Sequence, residues 1–139
     1  MKTRITPYIK ELKDNEVFVF GSNESGRHGK GAAKTAMKWG AVYGQASGLQ
    51  GRTYGIPTVN ASISNKLSLI KISKYVDTFV EFAKLTPHNI HLVTEIGCGL
   101  AGWTVKDIAP LFADAVKVKN IYLPNKFWKI LEVNTHESK

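Results

Sequence analysis

The sequence predicts one α/β domain, a three-layer α/β/α sandwich around a mixed, mostly parallel sheet. Short apolar runs rich in β-branched and aromatic residues (17–20, 52–59, 89–96, 120–123) alternate with stretches of helical spacing, as in βαβ units whose helices cover a sheet. Residues 1–139 contain no internal repeat or low-complexity run, and the length suits a single domain with a buried core. The composition, 43% apolar and 22% charged, is that of a globular chain.

The first strand, residues 17–20, feeds a polar loop carrying Gly21, Gly26, Gly29 and Gly31. Helical spacing begins at Ala32, with Ala33, Ala36 and Met37 on one face and Lys30, Lys34 and Lys38 on another. Gly40 should stop this helix. Residues 43–51 hold three glycines and read as a loop. Residues 52–59 form the second strand, with Pro57 at its end or on an edge, and residues 60–66 a polar connection. Leu69, Ile72, Val76, Phe79, Val80 and Ala83 keep helical spacing across residues 68–84, and Pro87 closes the segment.

The strand at 89–96 runs into a second glycine loop, Gly97-Cys98-Gly99-Leu100-Ala101-Gly102-Trp103. Thr104 and Asp107 have the spacing of a capping box, ahead of a helix that turns Ile108, Leu111, Phe112, Ala115 and Val116 inward. Pro110 should break its first turn or delay its start, because an interior proline costs about 3 kcal/mol. Residues 120–123 read as a short strand, 126–133 as a terminal helix and 136–139 as a frayed end. Residues 5–12 fit a strand or a helical turn.

A net charge of +8 points toward polyanionic or phosphorylated ligands. Only the Lys30, Lys34 and Lys38 stripe is organised, which argues against a dedicated nucleic-acid tail. No apolar run approaches the ~18 residues of a membrane span, and Met1-Lys2-Thr3-Arg4 lacks a signal-peptide core. A cytoplasmic protein with no membrane partner is expected. The lone Cys98 excludes an intramolecular disulfide and fits a reducing compartment. His28, His88, His91 and His136 show no metal-ligand spacing, so neither metal nor cofactor is expected.

Both glycine loops follow strands, so both belong at the carboxyl rim of the sheet, where ligands bind. Backbone amides left free at a loop and helix start favour an anion, and two such loops facing each other would hold a diphosphate. A solvated loop before a basic helix face would carry the same residues. The first loop is no P-loop, since Arg27-His28 stands where Lys and Ser/Thr are needed. Lys34 occupies the third glycine position of a dinucleotide fingerprint, which excludes that motif too.

Arg27-His-Gly-Lys-Gly-Ala-Ala33 with Lys38-Trp39-Gly40, and Ile96-Gly-Cys-Gly-Leu100 followed by an aromatic and a helix, resemble the two loops of the macrodomains. The branch they resemble is that of the terminal ADP-ribose protein glycohydrolase. The chain also resembles uncharacterised phage and prophage proteins with the same loop pair. The resemblance spans residues ~17 to 123 and implies a macrodomain-like fold that binds ADP-ribose or a related nucleotide. It implies that Gly29, Lys30, Gly31 and Ala32 wrap the ligand from one side, with Ser22, Asn23 and Thr58 nearby. Gly97, Cys98, Gly99, Leu100, Ala101 and Gly102 would grip it from the other, and Trp103 would stack on a ring or close the loop.

Removal of ADP-ribose from a modified protein or nucleic acid is the activity the resemblance implies. Yet Ala101 stands at the acidic position of that branch, Val59 near its lysine nucleophile, and Ala33 at the aspartate of the other hydrolytic branch. Hydrolysis would need another route, such as a water ordered by Asn23 with His28 or Glu24 as base. Two further readings stand beside this one. Cys98 with His28 would make a thiol enzyme, and the positive charge would suit a phage-type nucleic-acid or protein interaction module with a non-catalytic cleft. His91 in its apolar strand reads as a core or edge histidine rather than a catalyst, and Glu95 as either a base at the rim or a carboxylate facing solvent or a lysine.

Overall fold

The computed structural model describes residues 4–99 and 101–137, with residues 133–137 described by backbone alone. Its five strands form one sheet of order β2-β3-β1-β4-β5. The strands are β1 (Glu16–Asn23), β2 (Gly48–Gln50), β3 (Thr53–Val59), β4 (Ile90–Val93) and β5 (Ile121–Tyr122). All pairings are parallel except β2 with β3. The helices are α1 (Gly31–Ala36), α2 (Leu69–Lys84), α3 (Val105–Ile108) and α4 (Asn125–Glu137), and the expected mixed, mostly parallel α/β architecture is present.

β1 is central and alternates its faces. Val17 and Val19 pack into a large cluster with α2 and α4, while Phe18 and Phe20 pack with Ala33 and Ala36 of α1. The strand runs three residues past the expected Phe20, because Gly21, Ser22 and Asn23 pair with β3 across a bulge. Pairing partners override the weak β propensity of those residues. β4, by contrast, stops at Val93 and meets β1 only from Glu16 to Val19.

α1 ends in a 3₁₀ turn, Met37–Trp39, and Gly40 stops it at φ +106°. The tighter winding rotates Met37 out of the expected buried face, leaving it 43% exposed. The stretch expected to be loop contains β2, joined to β3 by the two-residue turn Gly51-Arg52. Pro57 lies in β3 beyond the residues that β2 pairs, so the missing N–H faces no neighbouring strand on that side.

α2 starts at Ser68, whose hydroxyl accepts from the Lys71 amide, and buries Ile72, Val76, Phe79, Val80 and Ala83. The Thr104–Asp107 capping box is formed, and Pro110 breaks the helix as expected, into α3 and a 3₁₀ segment, Ala109–Lys117. The undecided N-terminal segment adds a bridge from Ile5 to Leu123. The Arg4 guanidinium beside it donates to the carbonyl oxygens of Val116, Val118 and Ile121 and lies over the Trp128 ring. α4 continues past the expected 126–133 to Glu137, while Ser138 and Lys139 of the expected frayed end lie outside the described residues. No helix among the described residues is long and apolar enough to cross a membrane.

Candidate functional site

β3, β1 and β4 are adjacent and parallel, so their carboxyl ends open on the same rim. A cleft of about 570 Å³ lies there, reached by the segments that follow all three strands. Ser22, Asn23, Gly29, Lys30, Gly31, Ala32, Thr58, Gly97, Gly99 and Ala101 line it. The two glycine loops therefore meet, although nearly 70 residues separate Gly29 from Gly97 in sequence. His28, Cys98, Gly102 and Trp103 do not line the cleft, and Leu100 lies outside the described residues.

The glycine loops present bare main chain to the cleft. A Cβ built on Gly29 or Gly99 meets nothing within 4 Å. Among the described residues, the amides of Gly29, Lys30, Gly31 and Ala32 on one side, and of Gly97, Gly99 and Ala101 on the other, have no hydrogen-bond acceptor. Lys30 is the uncapped N-cap of α1. At six residues α1 is too short to carry much dipole, so what it offers is its open N–H groups. Gly97, at φ +76°, is held by fold geometry as well, since a Cβ there would come within 2.9 Å of Ile108.

The side chains expected to do chemistry are committed elsewhere. Asn23 braces its own loop: its Oδ1 accepts from the Arg27 amide at 2.9 Å and the Ser25 hydroxyl at 2.8 Å, and its Nδ2 donates to the Arg27 carbonyl at 2.8 Å. Buried His28 sits 3.2 Å from Gln50 Oε1 through Nε2, with its ring edge-on to Phe20. Glu24 pairs with Lys71 at 2.8 Å and accepts from the Tyr75 hydroxyl, and the Lys71 hydrogen bond holds its carboxyl below the usual range. A carboxylate so stabilised is a poor base. The Ser22 hydroxyl donates to the Ala46 carbonyl and the Thr58 hydroxyl to the Ser22 carbonyl, so these two shape the wall.

Cys98 packs against the core, where burial, reinforced by the charge of Glu95, pushes its thiol up to about 11. The thiolate population at neutral pH is then well under about 0.1%, the reverse of an activated nucleophile. Iodoacetamide at pH 7.5 is expected to label Cys98 at least tenfold more slowly than free cysteine; labelling at the free rate would return the thiol-enzyme reading to contention. Trp103 closes its loop, donating from Nε1 to the Leu67 carbonyl at 2.9 Å beneath the Lys66 ammonium.

Further residues line the cleft. Arg27 lies at the edge, tied to the Ala61 carbonyl at 3.0 Å, and with Lys30 makes that side basic. Tyr43 and Ile63, both exposed, come from loops distant in sequence. Glu95 lines the cleft with its carboxylate 4.0 Å from Lys126, a lysine-facing carboxylate at the rim. It adds a negative charge to the cleft beside the basic Arg27 and Lys30. Among the described residues no cluster of His, Cys, Asp and Glu could hold a metal ion.

Comparison with known proteins finds no matching family model, curated protein or solved structure.

Proposed function

We propose that this chain is a macrodomain-like three-layer sandwich that binds ADP-ribose or a related nucleotide, with the diphosphate held between the two glycine loops. The observation that carries this reading is one cleft walled by Gly29 and Gly31 on one side and Gly97 and Gly99 on the other, with unpaired amides on both. Such donors suit an anion with many oxygens, and the cleft volume suits a nucleotide-sized ligand. Separate apolar clusters on the two sheet faces support the sandwich.

A second groove of about 630 Å³ shares Ala32, Thr94 and Glu95 with the cleft and continues past Tyr8, Lys10 and Lys38. The nucleoside half of the ligand occupies this groove, with the phosphates between the glycine loops beside Lys30 and Arg27. The committed polar groups of Asn23, Glu24 and His28 favour a binder over a glycohydrolase. Its partner would be the free nucleotide or an ADP-ribosylated protein or nucleic acid.

Isothermal calorimetry with ADP-ribose tests the reading: saturable binding to one site is expected, and absence of heat at millimolar ligand would refute it. The interaction-module alternative expects the opposite pattern, a low-salt band shift of nucleic acid with no response to ADP-ribose.

A further inference from the structure

Ile63 is the one residue other than glycine that has a left-handed backbone among the described residues, at φ +57°. For a β-branched side chain this is a strained conformation. The surrounding loop enforces it. Asn60 Oδ1 accepts from the amides of Ser64 at 2.9 Å and Asn65 at 3.2 Å, and the Asn60 carbonyl accepts from the Ile63 amide at 3.0 Å. The loop is moored to both glycine loops, by Arg27 on the Ala61 carbonyl and by Trp103 on the Leu67 carbonyl. The strained residue is not filling a core, for Ile63 is 47% exposed and lines the cleft.

Position in the cleft gives the strain a use. Thr94 and Glu95 face both the cleft and the second groove, whereas Val59 and Ile63 line the cleft alone. The cleft thus has a groove end and, away from it, an aliphatic wall of Val59 and Ile63 beside Asn23 and Arg27. Taking as given the nucleotide reading above, on which this rests, we infer that Ile63 is a specificity residue, held against the face of the sugar beyond the second phosphate. The C–H face of a furanose packs on such an aliphatic surface, and ADP has no sugar to place there.

The test compares ADP-ribose with ADP, which lacks that sugar, on wild type and on Ile63→Asn. Asparagine accepts the left-handed conformation more readily, so the variant is expected to melt no lower than wild type. Affinity for ADP-ribose should fall about tenfold, as for loss of one buried aliphatic contact, while affinity for ADP stays within about twofold. Equal weakening of both ligands, or of neither, would overturn the role of Ile63 while leaving the cleft reading intact. Failure of wild type to bind either ligand would instead remove the nucleotide reading.

Discussion

Replacing Gly29 or Gly99 with leucine is expected to lower ADP-ribose affinity at least about 100-fold without loss of stability. A Cβ at either position meets nothing within 4 Å and both residues line the cleft, so a leucine there competes with the phosphates for the cleft. Neither residue has the positive φ that would strain a substitution, and a larger residue also narrows the unfolded ensemble. Gly97 supplies the contrast. There even alanine combines a left-handed backbone with a contact 2.9 Å from Ile108, so Gly97→Ala is expected to cost roughly 2–3 kcal/mol of stability. Thermal melts and calorimetry on the three variants check both halves. Gly99→Leu binding like wild type would mean that the ligand lies elsewhere.

The second large effect concerns acid. His91 is fully buried between the rings of Phe79 and Phe82, and burial lowers its pKa to about 4. The Thr86 hydroxyl has the Phe82 carbonyl as an acceptor, which leaves its oxygen to accept from His91 Nε2 at 3.1 Å. A second proton would then fall on Nδ1, which is buried with no partner among the described residues. The unfolded chain takes up that proton near pH 6.5 and the folded chain only near pH 4. Stability from the neutral ring is therefore complete above the unfolded pKa and drains away as pH falls from about 6.5 toward about 4, by about 3 kcal/mol. Urea denaturation of wild type and His91→Leu across this range is expected to give a flatter profile for the variant by that amount. Parallel profiles would show that His91 does not govern the acid limb.

Strong local signals made much of the fold legible. The Val17–Phe20 core of β1, the helical period of α2, the Thr104–Asp107 box and the break at Pro110 each follow from neighbouring residues alone. β2 carries no such signal, because a three-residue edge strand is defined by its partner β3 rather than by its own sequence. The glycines of the site were legible for the same local reason. Side-chain direction was not. Whether His28 or Cys98 turns into the cleft depends on what packs behind each loop, and the sequence around them is silent on Phe20, Gln50 and the core beneath Cys98. Tyr43 and Ile63 reach the cleft only through the folding of separate loops.

The most direct test of the opposed loops is an amide NMR titration of the ¹⁵N-labelled protein with ADP-ribose. The N–H resonances of Gly29, Gly31, Gly97 and Gly99 are expected to move downfield together and saturate at one equivalent of bound ligand, while those of Gly48 and Gly51 in the β2–β3 hairpin stay in place. Movement confined to one loop, or binding that leaves all four resonances where they began, would contradict a diphosphate gripped from both sides.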